Sequence, residues 1–397
     1  MYGAGNIGRG YMGQIFSKSG YELIFIDISV SVIETLNRDG RYPVRIMSEN
    51  GSKDDWIEGV RAINGSNTGE AADAIAAADC MAVSVGVRAM QFIAPVIASG
   101  IKKRIALNGN PLDIIICENL LDAGKILADL IKEYLDNGEK IFFDENIGLV
   151  DASIGRMVPV QTPQMQDGNP LRVCVEKYCF LPVDKTAFRG KIPNLAGMYP
   201  VDNFEFYIKQ KLFIHNMGHA VCAYMGMIRG NKYICETVSH GGILFVAQNA
   251  MTESALALSS RYNVPFADIH CHIMDLLLRF SNSALGDTCA RVGADTVRKL
   301  GANDRFIGAI RFCKNTNVNP VFISAGASAA LYCHLAEKRI PQTMENACTV
   351  LKELADMEGA EAEKILSFYS ILIDFPQSGN FDTIIGKIII TALNESG

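Results

Sequence analysis

The residues whose types and spacing could do chemistry are concentrated in the run YIKQKLFIHNMGHAVCAYMGM, which contains Lys211, His215, Asn216 and His219. Built as an α-helix, this run places His215, His219 and Asn216 at ~40°, ~80° and ~140° from Lys211. All four polar side chains then share one side, while Leu212, Phe213, Ile214, Gly218 and Ala220 fill the rest. A partly desolvated lysine loses ammonium character and can act as a general base, and an amide N–H can stabilise a developing alkoxide. The plainer alternative is that Lys211 snorkels to solvent and the histidines sit in the core. A zinc reading is also open, because His215 and His219 are four apart, but the Glu of H-E-x-x-H is missing and no third ligand is evident. The expectation is therefore a site without metal.

The order Lys-x4-Asn-x2-His resembles the signature of the polyol-specific long-chain dehydrogenases and reductases, and Lys211, Asn216 and His219 match it without a gap. That resemblance implies that Lys211 is the catalytic acid/base, that Asn216 helps hold the substrate oxygen, that His219 orients Lys211 or the substrate, and that no metal takes part.

Such a site needs elements that bring a second reactant to it, and the N-terminal half supplies candidates. Gly3-Ala4-Gly5-Asn6-Ile7-Gly8 reads G-x-G-x-x-G, an amphipathic helix follows through Gly20, and the apolar run LIFI ends in Asp27. This is a dinucleotide-binding fingerprint: the glycines admit the pyrophosphate to a helix N-terminus, and the acid takes a ribose hydroxyl. Asp27 would repel a 2′-phosphate, so NAD is expected as the cofactor. Only Met1 and Tyr2 precede the loop, where a buried strand of about five residues normally stands. The first strand is therefore expected to be cut short, leaving unpaired backbone groups on both neighbours.

Residues 42–65 read as an antiparallel pair with its turn at Asn50–Ser52, and AADAIAAAD as a short packed helix. The run 80–86 reads as a buried strand ending beside the nicotinamide at Val85 and Gly86. A helix over 88–103 leads to the strand DIIIC (113–117), which ends at Glu118-Asn119. Ligands of doubly wound sheets gather at carboxyl ends of strands, which makes Asn119 a candidate; capping the next helix is its alternative role. Residues 141–180 carry two further strand-like runs. From about 193 the periodicity becomes helical, over 203–229, 239–263, 267–280, 303–314, 322–337 and 343–356. The expected architecture is α/β, a Rossmann-type doubly wound sheet over 1–190 followed by a mostly helical substrate domain over 191–397.

Further segments resemble the same family: GAGNIGRG, IICEN, VDKTAFRG (183–190) and RVGADTVRKLGANDR (291–305). The resemblance implies that Asn119 joins the helix asparagine in an oxyanion hole and that the substrate is a polyol or a sugar phosphate. One departure stands out. In VDASIGRMVP (150–159) Gly155 occupies the place where the family usually carries an Asp that binds substrate hydroxyls, although Arg156 follows it. Arg291, Arg298, Lys299 and Arg305 could fork onto a phosphate or could form a solvated basic turn. An enzyme of free polyols or hexuronates, and an NAD-binding protein without turnover, stay open as alternatives.

Composition excludes other classes. The 397 residues are 49% hydrophobic, enough for two cores, and the net charge of −6 is mixed throughout. There is no basic stripe for nucleic acid or membrane, which leaves small molecules as partners. The 11 cysteines lack a C-x-x-C pair and fit free thiols in the cytoplasm. His270-Cys271-His272 reads as packing.

Overall fold

The computed structural model describes residues 1–107, 109–120, 122–375 and 379–396. The chain divides into two compact units at Phe204/Glu205. This is later than a boundary near 190, because the stretch that follows remains tied to the first unit. There β9 (Leu181–Asp184) pairs in parallel with β10 (Met198–Val201), and Val183 also bridges to Ala152.

The first unit is built on parallel strands. β1 (Leu23–Asp27) pairs with β4 (Val60–Asn64), and β5 (Cys80–Val83), β6 (Leu112–Ile116) and β7 (Ile147–Asp151) form a second ladder in that order. Every residue of β6 is buried, as expected of a strand covered on both faces. Alternate side chains enter two separate cores: Phe25 and Ile115 join Tyr11, Met12 and Val150, while Ile26, Ile114 and Ile116 join Met90, Ile97 and Leu127.

Met1 and Tyr2 join the two ladders. Tyr2 N–H donates to Ala82 O (2.8 Å) and Ser84 N–H to Tyr2 O (2.9 Å), while Ile26 N–H donates to Met1 O (2.9 Å) and Gly3 N–H to Ile26 O (2.8 Å). Two residues thus continue the sheet at its carboxyl end, where the glycine loop begins. Toward the amino end of the strands β1 and β5 remain apart, and a cavity of about 460 Å³ lies between them, lined by Leu23, Ile24, Ile63, Ile75, Cys80 and Met81.

Two segments depart from the expected elements. β2 (Arg41–Ser48) and β3 (Gly51–Glu58) form the antiparallel hairpin, but the run DWIEGVRAIN breaks at Gly59, whose φ is +68°. VRAIN then becomes β4 and joins the parallel sheet, while β2 takes β8 (Val173–Val175) as its other neighbour. The run IFFDEN is helix, not strand: it ends the helix Asn137–Asn146, which a reciprocal capping box of Asp136 and Glu139 starts. Only IGLVD continues as β7.

The second unit is helical. The helix Val321–Lys338 is its centre, buried along nearly its whole length and packed by the helices Met217–Arg229, Gly241–Tyr262 and Glu363–Ile373. Small residues set the spacing: a Cβ on Gly326 would stand 2.5 Å from Val221 Cγ2. Glu253 caps this helix from its neighbour, accepting from Phe322 N–H (2.8 Å) and Ile323 N–H (2.9 Å). Among the described residues no helix is long and apolar enough to cross a membrane.

Candidate active site

In the first unit the glycine loop runs from the Tyr2 bridge into a helix that begins at Asn6–Ile7 and contains a π-turn at Gly8–Gly13. The three glycines do different work. Gly3 has φ +95°, and a Cβ there would lie 2.1 Å from Ser84 O. A Cβ on Gly8 would lie 2.0 Å from Gly3 O, so that glycine closes the loop against the helix. Gly5 is exposed, and a Cβ on it would meet nothing within 4 Å. The fold itself does not require glycine at position 5.

Asp27, at the carboxyl end of β1, accepts from Ala4 N–H (2.6 Å) and Ser29 N–H (2.8 Å). It therefore fixes the glycine loop to the carboxyl end of β1. Arg9 is buried and donates to the carbonyls of Ala4 and Leu171, bracing the loop from behind.

Val85 and Gly86 follow β5, and their two N–H groups converge on one carboxylate oxygen, Glu118 Oε1, at 2.8 and 3.0 Å. Burial pushes the Glu118 carboxyl up, against the two amides that favour its ionised form. Glu118 thereby joins the loop after β5 to the end of β6, where the exposed Asn119 follows directly. The signal for this role was local, an acidic residue at the carboxyl end of a buried strand, but its partners were not.

Arg156 is buried and donates to Glu176 O (2.9 Å), Gly10 O (3.1 Å) and Gln14 Oε1 (2.6 Å), with its guanidinium 5.4 Å from the Tyr11 ring centroid. These contacts tie it to the first helix. A Cβ on Gly155 would come within 3.2 Å of Tyr178 Cε1, so an aspartate there would require Tyr178 to shift.

In the second unit the Lys-x4-Asn run is not a plain α-helix. Phe204–Gln210 is α-helical, Lys211–Asn216 is a π-turn, and Met217–Arg229 returns to α. A π-turn advances less per residue than an α-helix, so the angle between Asn216 and Lys211 is smaller than the ~140° of an α-helix. Lys211 and Asn216 are the first and last residues of this turn. Gly218 lets the helix lie against its neighbour, since a Cβ there would be 2.4 Å from Met251 Sδ.

His219 stacks on Phe280, with ring centroids 4.5 Å apart and an interplanar angle of 10°. Its Nε2 lies 3.2 Å from Asp287 Oδ2. The His215 ring is 6.1 Å from that of His219, and burial, with Arg279 nearby, holds His215 far below the usual imidazole range. No group of three or more His, Cys, Asp or Glu side chains among the described residues is arranged to hold a metal ion. In the 270–272 cluster Cys271 is exposed, and burial holds His272 down to about 4.

The three arginines of 291–305 are paired with nearby aspartates. Arg291 meets Asp287 (2.6 Å), Arg298 meets Asp295 (2.7 Å) and Asp304 (3.7 Å), and the buried Arg305 meets Asp304 (2.8 Å). Lys299 is buried, which together with Arg305 and Arg298 lowers it to about 8. Arg291 and Arg298 keep their exposure within these pairs, while Lys299 and Arg305 are buried.

A glycine-loop α/β unit joined to a helical unit bearing a Lys–Asn–His helix defines a two-domain dehydrogenase of the Rossmann type. Residues 1–197 match the mannitol dehydrogenase Rossmann domain and residues 203–381 the mannitol dehydrogenase C-terminal domain, and the chain belongs to the mannitol dehydrogenase family. A mannitol-1-phosphate 5-dehydrogenase from Bacillus licheniformis is 35% identical over 85% of this chain and 88% of its own length. One of the same name from Brevibacillus brevis is 34% identical over 83% of this chain and 84% of its own. Among solved structures, Pseudomonas fluorescens mannitol 2-dehydrogenase in ternary complex with NAD and D-mannitol superposes with a TM-score of 0.75 at 12% identity, covering 98% of this chain and 93% of that one. A substrate-free D-sorbitol dehydrogenase does so with 0.78 at 14%, covering 97% and 94%. At such identities these two structures speak for the fold.

Proposed function

We propose that this protein is an NAD-dependent oxidoreductase that interconverts D-mannitol 1-phosphate and D-fructose 6-phosphate. The substrate follows from the two bacterial relatives of that activity, which align over more than four-fifths of the chain. The geometric observation that supports the chemistry is the π-turn Lys211–Asn216, which begins at the base and ends at the amide donor. NAD fits the first unit because Gly5 leaves the loop open to a pyrophosphate and Asp27 places a carboxylate at the strand end. Bound NAD supplies the hydride acceptor.

In the oxidative direction Lys211 takes the proton of the carbon 5 hydroxyl as hydride leaves that carbon. Asn216 and Asn119 donate to the oxygen while it carries negative charge, which is worth most in a site closed to water. No step needs a metal. Arg291, Arg298, Lys299 and Arg305 are assigned to the phosphate, with Arg156 as the remaining candidate toward substrate. A phosphate must then share these arginines with Asp287, Asp295 and Asp304 rather than displace them.

The test is turnover of purified protein with NAD on mannitol 1-phosphate, mannitol and a hexuronate, followed as NADH. Mannitol 1-phosphate is expected to exceed mannitol in kcat/KM by on the order of a thousandfold, the worth of two charge-assisted contacts of ~1.5–3 kcal/mol each. Equal rates on the two polyols would refute the phosphate assignment.

A further inference from the structure

We infer that Asp287 is a positioning residue that fixes the tautomer of His219, and that Arg291 in turn holds Asp287. His219 Nε2 and Asp287 Oδ2 are buried and 3.2 Å apart, an approach short of an aligned hydrogen bond, and among the described residues neither atom has a hydrogen-bond partner. Each is the only group available to satisfy the other, and leaving either alone would cost the desolvation of a buried polar atom. Stacking on Phe280 leaves the His219 ring little freedom to turn away.

The carboxylate is held from both sides. Its backbone is fixed where Ile234 N–H donates to Asp287 O (2.9 Å) and Cys289 N–H to Lys232 O (2.9 Å). Its second oxygen, Oδ1, receives Arg291 Nε (2.7 Å) and the terminal nitrogen Nη2 (2.6 Å). A buried carboxylate placed between an arginine and an imidazole stays ionised, because its partners outweigh the burial that would protonate it. Burial acts the other way on His219 and holds its pKa below the usual value despite Asp287. The imidazole is therefore neutral near neutral pH.

A neutral imidazole that faces a carboxylate with Nε2 carries its proton there, which leaves Nδ1 as a lone pair. His219 is thus an acceptor of a hydrogen bond, and the group that it takes is a donor, a hydroxyl of the polyol. The part of the ring that solvent can reach, 12% of the side chain, excludes the buried Nε2. This deepens the dehydrogenase reading and rests on it for the identity of the hydroxyl. It does not rest on it for the tautomer.

The first experiment is nitrogen-15 NMR of histidine-labelled protein at neutral pH without cofactor, with the His219 signals assigned by their loss in H219N. A proton on Nε2 and a lone pair on Nδ1 are expected; protonation of Nδ1 or of both nitrogens would overturn the inference. The second is D287N, whose amide can donate to Nε2 and move the proton to Nδ1. A fall of about 10²–10⁴-fold in kcat/KM on mannitol 1-phosphate is expected, with unchanged NADH affinity and with the moved proton visible by NMR. Full activity of D287N would overturn the positioning role. If the wild-type protein shows the expected tautomer but does not turn over mannitol 1-phosphate, the substrate reading fails and the tautomer lock stands.

Discussion

Replacing Gly5 and Gly8 separately by alanine distinguishes a glycine kept for the fold from one kept for a ligand. A methyl on Gly8 would sit 2.0 Å from Gly3 O, deep inside contact distance of a backbone atom that cannot rotate away. The loop must move, and a loss on the order of 2–4 kcal/mol in unfolding free energy is expected for G8A. A methyl on Gly5 meets nothing within 4 Å, and the position is exposed without a left-handed φ, so G5A is expected within ~0.5 kcal/mol of the parent. The same methyl stands where a pyrophosphate must approach the loop amides. Losing one amide contact to a charged oxygen costs ~1.5–3 kcal/mol, a weakening of about 10- to 150-fold in NADH affinity. Denaturant unfolding measures the first quantity, and titration of NADH fluorescence measures the second. NADH binding by G5A at the parent affinity, or a stability loss in G5A equal to that in G8A, would show that the loop is not the nucleotide cradle.

Asp27→Ala removes both the repulsion of a 2′-phosphate and the acceptor for two loop amides, so it is expected to narrow the preference for NAD over NADP and to cost ~1–3 kcal/mol of stability. Comparing kcat/KM on the two cofactors checks this, and equal use of both by the parent protein would refute it. Lys211→Ala is expected to lower turnover by ~10²–10⁴-fold or more while NADH still binds, because a base is lost and not a cofactor contact; undiminished turnover would remove Lys211 from the mechanism. Burial pushes Glu253 from 4.5 up to about 8 against the amides of Phe322 and Ile323. Between those values the folded state binds the proton and the unfolded state does not, so the stability from this group is complete below about pH 4.5 and is lost as pH rises to about 8. Denaturation midpoints across that range should fall with pH in the parent and follow a flatter course in E253Q; parallel courses would show that Glu253 does not titrate there.

What the sequence by itself determined is what depends on near neighbours along the chain. The glycine spacing, Asp27 at the end of an apolar run and the order Lys211, Asn216, His219 are local patterns; Asp27 ends the expected strand, and the last three stand on one helical run, though not a plain α-helix. The long helices between 203 and 356 were legible for the same reason, since a period near 3.6 repeats over many residues, but the helices Glu363–Ile373 and Phe381–Ser396 were not. Other features required tertiary structure. VRAIN has the same alternation whether it extends a hairpin or enters a parallel sheet, and only the left-handed turn at Gly59 with β1 alongside decides between them. IFFDEN is apolar enough for a strand, but the capping box at Asp136 and the packing of Phe143 make it helix. The π-turn changes how Asn216 stands to Lys211 although its residues carry no helix-breaking signal. Glu118 with Val85 and Gly86, and Asp287 with His219, pair across 32–33 and 68 positions. A side chain's type states what it can donate or accept, but its partner is whatever the packing of distant segments sets beside it, because burial penalises any polar group left alone.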